Sequence, residues 1–395
     1  MGNTICYYMC CCCLCCRRKY VKQHRLKEKR HTIAMINQLS KSHRPRTVGT
    51  DPTKVELKDM AKTFVVPSKK FKTAEDVIAY EGYRLGKTIG SGSFAKVHLI
   101  THIKTGEELA CKVLNLTDKL MDGRKRRLMR SRDIKNELFT LEKLTHPHII
   151  RLVTHFTIIR DDLMSTFYIV MQYAIEGSLQ EHTRLRGPFA ERFCRLWFAQ
   201  MLSALVYMHS NRIVHRDLKP QNILLDVNQD VLISDFGLSR IDSSGQDLES
   251  KTFCGTPQYM APELLNMRLK KDELKNQNPV DRDSIDALSY KAMPVDVWAL
   301  GCVVFFCFTQ TVPYIVYHKD MSRWPQTVEQ MKHREYSLPS RLNPTPEFVQ
   351  IIRRMLEPNP TSRPTMLQLT TDKWIAEKYK VVDKKVQKDM KKINK

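Results

Sequence analysis

The chain has 395 residues, of which 42% are hydrophobic and 27% are charged, a composition typical of soluble globular proteins and unlike that of disordered or multi-span membrane chains. No uninterrupted run of 18 apolar residues occurs, so we expect no membrane-spanning helix. The net charge of +23 is concentrated at the ends, where residues 1–50 carry +10 and residues 376–395 carry +5. Because the middle of the chain is only modestly basic, we expect no nucleic acid as a partner.

The first 16 residues form a cysteine-rich segment with two kinds of candidate lipidation site. Gly2 is the position at which N-myristate is attached, although Cys6 stands where the common pattern has Ser or Thr. Myristate alone is a weak anchor, and S-acylation or the eight Lys and Arg residues of 17–30 would supply a second signal. We therefore expect tethering to an anionic membrane surface on the cytoplasmic side, with the plasma membrane as the expected site, and otherwise a cytoplasmic protein. The candidate acylation sites are Cys6, Cys10, Cys11, Cys12, Cys13, Cys15 and Cys16.

Two other interpretations of the N-terminal region remain open. The basic residues could bind acidic proteins or RNA through charge alone. The cysteines could bind a metal as thiolates, although adjacent cysteines lack the spacing from which zinc sites are built. Residues 17–82 are polar and weakly periodic, and they predict a basic, poorly ordered arm with short helices.

From Tyr83 onward the sequence predicts two different halves. Alternating polar and apolar residues with intervening turn glycines predict five strands and one helix. After Gly187 the apolar spacing becomes helical over long stretches such as 191–210 and 296–309. An antiparallel sheet followed by helices indicates an α+β fold. The apolar face of the one helix in the first half consists of Ile134, Leu138, Leu141 and Leu144.

Three further features of the sequence carry predictions about packing. The polar stretch 266–294 predicts a solvent-exposed insertion. Residues 376–395 alternate lysine with apolar positions and predict a short basic helix or a frayed tail. Five scattered cysteines are expected to be buried small hydrophobic residues of a reducing compartment. They are Cys111, Cys194, Cys254, Cys302 and Cys307.

The first candidate for chemistry is a glycine-rich turn, IGSGSFAKV at 89–97. Gly90 and Gly92 would let backbone N–H groups approach phosphate oxygens, but any tight hairpin also favours glycine. Lys112 ends an otherwise apolar strand, where a buried lysine needs a partner, and Glu137 on the inward face of the next helix is a candidate. The alternative for Lys112 is a surface lysine at a strand end.

Two later motifs, HRDLKPQN at 215–222 and DFG at 235–237, indicate that the glycine-rich turn and Lys112 belong to one site. With the glycine-rich loop, LACK, the helix glutamate, CGTPQYMAPE at 254–263, DVWALGC at 296–302 and Arg363, they form an ordered set. The sequence therefore resembles the eukaryotic protein kinase family, over a domain at 83–375. The resemblance implies a bilobal fold, with a small antiparallel β lobe that carries one helix and a larger helical lobe. It also implies ATP and Mg²⁺ as cofactors and protein substrates with Ser or Thr acceptors.

The resemblance also implies roles for the charged residues. Asp217 would accept or orient the proton of the substrate hydroxyl, and Lys219 would neutralise the γ-phosphate. Asn222 and Asp235 would offer oxygen ligands to Mg²⁺. Lys112, held by Glu137, would bind the α- and β-phosphates.

The expected nucleotide pocket is mostly apolar, as such pockets generally are. Met171 matches the gatekeeper position, and the backbones of Gln172 and Ala174 would hydrogen-bond the adenine. The complete set of expected nucleotide contacts, besides Lys112, is Ile89, Gly90, Ser91, Gly92, Val97, Ala110, Met171, Gln172, Ala174 and Leu224.

A regulatory site is predicted between the DFG and APE motifs. Thr252 lies there in SKTFCGTP, and Arg216 and Arg240 supply two guanidinium groups that a phosphate would neutralise. This predicts that Thr252 is an activating phosphorylation site and that an upstream activating kinase is a partner. The alternative is a plain exposed threonine.

The motifs favour Ser/Thr over Tyr as the acceptor, because Lys219 and Thr256 match the pattern of Ser/Thr kinases. Ala95 replaces the third loop glycine and Gln172 the usual hinge acid, and neither change removes a catalytic group. The resemblance is to calcium/calmodulin-kinase-like or polo-like catalytic domains, without polo boxes after Trp374. The alternative function is a membrane-associated pseudokinase scaffold, which would normally lack one of the charged groups named above.

Overall fold

A computed structural model describes residues 63–64, 73–91, 95–117, 131–161, 164–241, 249–277, 284 and 287–393. The predictions for Gly2, for the seven cysteines of 1–16 and for Gly92 lie outside these residues.

The described residues form a strand-rich part followed by a helix-rich part. The elements of the first part are β1 (Thr63–Phe64), α1 (Ala74–Tyr80), β2 (Tyr83–Ser91), β3 (Ala95–His102), β4 (Glu108–Thr117), α2 (Ser131–Lys143), β5 (Leu152–Asp161) and β6 (Met164–Gln172). The second part contains α3 (Leu179–Arg186), α4 (Glu191–Ser210), β7 (Ile213–Val214), β8 (Ile223–Leu225), β9 (Val231–Ile233), β10 (Arg240–Ile241), β11 (Glu249–Ser250), α5 (Pro262–Gln277), β12 (Tyr290–Lys291), α6 (Ala292–Thr309), α7 (Trp324–Lys332), α8 (Pro346–Met355), α9 (Met366–Leu369) and α10 (Ala376–Ile393).

The small lobe is built on one sheet with the strand order β1-β5-β6-β4-β3-β2. The five strands from β2 to β6 are antiparallel, which confirms the α+β prediction and the strand count from Tyr83 onward. A sixth strand, β1, was not predicted. It pairs in parallel with β5 through Thr63 and Phe64, and two residues are too few to show a strand periodicity.

Two helices cover the small-lobe sheet. In α2, Ile134, Leu138 and Leu141 are all buried, so the predicted apolar face is confirmed. In α1, Thr73 and Asp76 form a capping box that satisfies the first N–H groups of the helix. Buried side chains of α1 then join the sheet, which extends the small-lobe core to residues that precede Tyr83 in the chain.

Helix α6 is the centre of the helical lobe. It is long and apolar enough to cross a membrane by length and composition, with a mean hydropathy of 1.8, but 83% of it is buried inside the protein. It packs against α4 and α8, and Gly301 permits the close approach to α8, since a Cβ there would lie 3.0 Å from Met355 Cβ. Its apolar composition is therefore explained by its position in the core.

The stretch 266–294 is not uniformly exposed, in contrast to the prediction from its polar composition. Its first part continues α5 as far as Gln277, and Met267 in that helix is buried. At its other end Tyr290 and Ala292 are buried, and β12 pairs with β11. The apolar residues of 266–294 are widely spaced among charged ones, so the sequence pattern does not indicate that they are buried.

The C-terminal residues form the 18-residue helix α10, which docks on α4. Val382 and Val386 are buried in the large-lobe core. Lys385, on the same helix, forms an ion pair with Asp230 (2.9 Å). Of the two forms that the sequence allowed, the basic helix is the one observed.

The scattered cysteines are packing residues, as predicted. Cys111, Cys194, Cys302 and Cys307 are buried, and Cys254 is partly buried. Burial raises the pKa of the Cys111 and Cys194 thiols to about 12 and also raises the pKa of Cys302 and Cys307. These four thiols are therefore protonated at neutral pH and unsuited to nucleophilic chemistry.

The docked position of α10 can be tested with neighbouring valines. We expect Val382→Asp to lower the free energy of unfolding by about 2 kcal/mol or more, because burial of an unpartnered polar group alone costs about 1–3 kcal/mol. Urea denaturation followed by tryptophan fluorescence measures the change. Val381→Asp is the matched control, since Val381 is 64% exposed on the same helix and should change stability by less than about 0.5 kcal/mol. Equal losses in the two variants would contradict the docking.

Candidate active site

A partly buried lysine connects three elements at the junction between the lobes. Lys112 on β4 donates from Nζ to Glu137 Oε1 on α2 (2.6 Å) and to Asp235 Oδ1 after β9 (2.9 Å). Glu137 is 1% exposed, and its Oε2 has no hydrogen-bond partner among the described residues. The partner predicted for Lys112 is therefore in contact with it, and Asp235 is a second one.

The charges of Lys112 and Asp235 stabilise each other. Burial disfavours the charged form of Lys112, but the carboxylates of Glu137 and Asp235 outweigh that effect and hold the pKa of Lys112 above its ordinary value. The Lys112 ammonium in turn lowers the pKa of Asp235 to about 2. Both groups are therefore ionised at neutral pH. The Asp235 side chain is 46% exposed, so it also faces solvent.

Asp217 lies in the loop between β7 and β8, hereafter called the catalytic loop (residues 215–222). Its carboxylate accepts hydrogen bonds from four donor groups. Its Oδ1 accepts from the amide and the hydroxyl of Thr256, each at 2.8 Å. Its Oδ2 accepts from Lys219 Nζ (2.6 Å) and from Asn222 Nδ2 (3.3 Å). Lys219 also donates to Thr256 Oγ1 (2.9 Å), so the carboxylate, the lysine and the threonine form one closed network.

The approach of Thr256 to this loop depends on the residue before it. Gly255 has φ +108°, and a Cβ there would lie 2.7 Å from the Arg216 carbonyl oxygen. Only glycine fits this conformation and this distance. The segment 235–263, hereafter called the activation segment, is therefore packed directly against the catalytic loop at this point.

Two side-chain oxygens are left for a cation. Asn222 uses its amide nitrogen toward the Asp217 carbonyl (2.9 Å), and Asp235 uses Oδ1 toward Lys112. Within the part of the chain that the structure describes, Asn222 Oδ1 and Asp235 Oδ2 have no hydrogen-bond donor. An amide oxygen and a carboxylate oxygen are ligands that Mg²⁺ prefers, so the residues present fit a magnesium ion.

A buried carboxylate on α6 holds the backbone of the catalytic loop. Asp296 is fully buried and accepts from the amides of His215 and Arg216, both at 2.9 Å, and from His209 Nε2 (3.0 Å). Burial opposes ionisation, but these donors outweigh it and lower the pKa of Asp296. Arg216 has φ +65°, a conformation that non-glycine residues rarely adopt and that this contact maintains.

The predicted arginine pair is only partly assembled. The Arg216 guanidinium donates to the Leu238 carbonyl (2.7 Å) and to Ser250 Oγ (3.0 Å), both in the activation segment. Arg240 is exposed on β10, and the described ranges contain no hydrogen bond between it and the Thr252 region. Thr252 is exposed, two residues beyond Ser250. Of the two arginines, Arg216 is therefore the one that contacts the activation segment near Thr252.

The predicted nucleotide residues lie on the strands around Lys112. Ala110 pairs with Met171 across β4 and β6, and Val97 pairs with Lys112 across β3 and β4. The Gln172 amide donates to the Arg151 carbonyl (3.0 Å), so a base could use only the Gln172 carbonyl. The remaining expected contacts in the described part are Ile89, which is 36% exposed, Gly90 and Ser91 on β2, Ala174 after β6, and Leu224 on β8.

The sequence alone assigns no role to three residues of the site, which are Asp296, Tyr290 and Arg363. Asp296 and Tyr290 contact the catalytic loop and the activation segment, but their partners are distant in sequence. Arg363 forms a bidentate ion pair with Glu263 (2.9 and 3.2 Å), which anchors the end of the activation segment. Arg363 and Glu263 both lie in motifs of the family pattern, and that co-occurrence is the signal that could have linked them.

A five-stranded antiparallel lobe, a helical lobe and this arrangement of lysine, glutamate and aspartates define a bilobal kinase fold. The family model for the protein kinase domain matches residues 83–375, and the chain belongs to that family.

Three similar proteins are named as protein kinases, and one of them as a serine/threonine-protein kinase. The serine/threonine-protein kinase MARK-C of Dictyostelium discoideum is 34% identical over 320 residues, which cover 81% of this chain and 36% of that protein. The SNF1-related protein kinase catalytic subunit alpha KIN12 of Arabidopsis thaliana is 34% identical over 74% of this chain and 51% of that protein. The carbon catabolite-derepressing protein kinase of Candida glabrata is 33% identical over 78% of this chain and 44% of that protein. The chain thus spans about a third to a half of these relatives, and its kinship to calcium/calmodulin-kinase-like or polo-like groups stays a prediction.

Proposed function

We propose that this protein is a serine/threonine protein kinase that transfers the γ-phosphate of ATP to protein hydroxyl groups. The observation that carries the proposal is the simultaneous contact of Lys112 with Glu137 and Asp235. That contact brings a cation from the small lobe to the carboxylate beside the catalytic loop. Relatives named as protein kinases support the same activity.

Each charged group has a role in this mechanism. ATP bound with Mg²⁺ supplies the phosphoryl group and part of the charge neutralisation. Lys112 would bind the α- and β-phosphates, while Asn222 and Asp235 would hold the cation through their remaining oxygens. Asp217, oriented by Thr256, would accept or orient the proton of the acceptor hydroxyl.

The Ser/Thr acceptor class is supported by Lys219 and Thr256, which match the pattern of Ser/Thr kinases and form a closed network with Asp217. Lys219 contacts both Asp217 and Thr256, so its ammonium lies next to the carboxylate that would face the acceptor. From that position it would neutralise charge on the transferred phosphate. This lysine and threonine are the pair by which the sequence resembles Ser/Thr kinases.

The activity can be tested at Asp217. Asp217→Asn should leave ATP binding largely in place but lower turnover on a Ser/Thr peptide by a factor on the order of 10² or more, because general-base contributions are about 10²–10⁴. Radiometric assay of phosphate transfer and calorimetric ATP titration measure the two quantities. Asp320→Asn, the same change at a side chain that is 45% exposed, should be as active as wild type. A wild-type protein that binds ATP but never transfers phosphate would instead be the pseudokinase scaffold.

We further propose that phosphorylation of Thr252 activates the enzyme. Thr252 is exposed on the activation segment, two residues from the serine that Arg216 contacts, so a phosphate there would lie near a guanidinium. A charge-assisted pair of this kind is about twice as strong as a neutral hydrogen bond. An upstream kinase would then be a partner.

Thr252→Ala tests that regulation. After treatment with ATP·Mg²⁺ and a candidate upstream kinase, we expect wild type to be roughly 10-fold more active than the variant, as a charge-assisted bond worth about 1.5 kcal/mol predicts. Mass spectrometry must locate the phosphate, and Thr371→Ala provides an exposed threonine control. Equal rates with stoichiometric phosphate on wild-type Thr252 would show that it is no switch.

We also propose that the N-terminus tethers the kinase to the cytoplasmic face of a membrane, with the plasma membrane expected. The support is the combination of Gly2, seven cysteines and the basic stretch 17–30, which supplies the two signals that stable anchoring needs. Each basic residue near an anionic surface contributes about 1 kcal/mol.

Lipidation variants distinguish this tether from a purely ionic arm. We expect Gly2→Ala and a variant with the seven cysteines changed to Ser to move from the membrane to the soluble fraction, while wild type stays bound in high salt. Mass spectrometry of the N-terminal peptide should find acyl groups. Salt-extractable wild type with an unmodified N-terminal peptide would leave the cationic arm as the explanation.

A further inference from the structure

We propose that the hydroxyl groups of Tyr290 and Ser250 hold Arg216 and the activation segment in place by contacts within the chain itself. Tyr290 is then a positioning residue that orders the segment before any modification of Thr252. The inference rests on the proposed kinase function, but its structural part can be tested independently of activity.

The contacts surround both the arginine and the threonine backbone. Arg216 Nη1 donates to Ser250 Oγ (3.0 Å), and Arg216 Nε donates to the Leu238 carbonyl (2.7 Å). The Tyr290 hydroxyl donates to the Thr252 carbonyl (3.2 Å), and the Thr252 amide donates to Ser250 Oγ (3.4 Å). Both polar groups of the Thr252 backbone are therefore bound by hydroxyl groups, and the Ser250 hydroxyl also contacts the arginine.

Burial makes these hydrogen bonds effective. Ser250 is fully buried and Tyr290 is 5% exposed, so water competes little for either hydroxyl. Burial raises the pKa of Tyr290 above its ordinary value, although the positive charge of Arg216 partly opposes this effect. Tyr290 therefore remains a protonated donor at neutral pH.

The backbone places Tyr290 opposite Ser250 and fixes it to the core. Strands β11 and β12 are antiparallel, with Ser250 paired with Tyr290 and Glu249 with Lys291. Ser289 Oγ adds a hydrogen bond to Glu249 Oε2 (2.8 Å). Because β12 is followed directly by α6, the activation segment is joined to the central helix of the large lobe.

The start of α6 fixes Arg216 at two points. Tyr290 lies two residues before Ala292, the first residue of the helix, and its strand partner Ser250 accepts from the Arg216 guanidinium (3.0 Å). Asp296 lies four residues after Ala292 and accepts the Arg216 amide (2.9 Å). One short stretch of chain therefore holds the backbone of this arginine directly and its guanidinium through Ser250.

The Ser250 hydroxyl and a phosphate on Thr252 would act on the same arginine with different strength. The Ser250 hydroxyl and the Leu238 carbonyl give the guanidinium neutral acceptors, whereas a phosphate on Thr252 would give it a charged one. Phosphorylation would then strengthen an arrangement that already exists, and the unmodified enzyme would have basal activity.

The experiment uses the full-length chain with Thr252→Ala, so that a phosphate at this position cannot contribute. Adding Tyr290→Phe removes only the hydroxyl. We expect kcat on a Ser/Thr peptide to fall roughly 5-fold, as the loss of one hydrogen bond predicts, with little change in the KM for ATP because Lys112 is untouched. Hydrogen exchange of the amides in 249–256 should become faster in the same variant.

Tyr336→Phe is the matched control, because its hydroxyl is buried and has no hydrogen-bond partner in the described ranges. It should change neither kcat nor exchange in 249–256. Unchanged exchange in Tyr290→Phe would overturn the inference whether or not the protein is a kinase. Faster exchange in a protein without any phosphate transfer would support the positioning role and refute the proposed function.

Discussion

The buried carboxylate of Asp296 is the contact on which the geometry of the site depends. It holds the amides of His215 and Arg216 and so maintains the left-handed backbone of Arg216. From that fixed point the chain continues directly to Asp217. A charge buried this deeply is costly unless it is fully paired, and its three donors meet that requirement. The core of the helical lobe, through Asp296 on α6, thus fixes the position of Asp217, the proposed base.

Lys112 has the corresponding role in the small lobe. Its ion pairs with Glu137 and Asp235 join a strand, the helix that follows it and the loop after β9, and Asp235 lies 123 residues from Lys112 in the sequence. Any shift of α2 away from the sheet would leave a buried charge without its partner. The orientation of α2 and the presentation of the lysine are therefore coupled, which links packing of the small lobe to the chemistry of the site.

The features that repeat along the chain, or that belong to the kinase pattern, were predictable from sequence. The face of α2 was visible in the spacing of Ile134 and Leu138, and the Lys112–Glu137 contact followed from a lysine that needed a partner. Features that depend on long-range pairing were not predictable: β1 is too short to have a period, and Tyr290 lies in a polar stretch with no motif. The expectation for Arg240 rested on charge, and charge alone does not specify side-chain direction.

The buried cysteines have a practical consequence for following motion in this molecule. Cys111 lies in the small-lobe sheet, whereas Cys194, Cys302 and Cys307 lie in helices of the large lobe. A thiol that is buried and protonated reacts with an alkylating reagent only when its surroundings open. Pulsed alkylation resolved by peptide therefore reports the local opening of each lobe separately, with natural cysteines as the probes and no substitution in the chain.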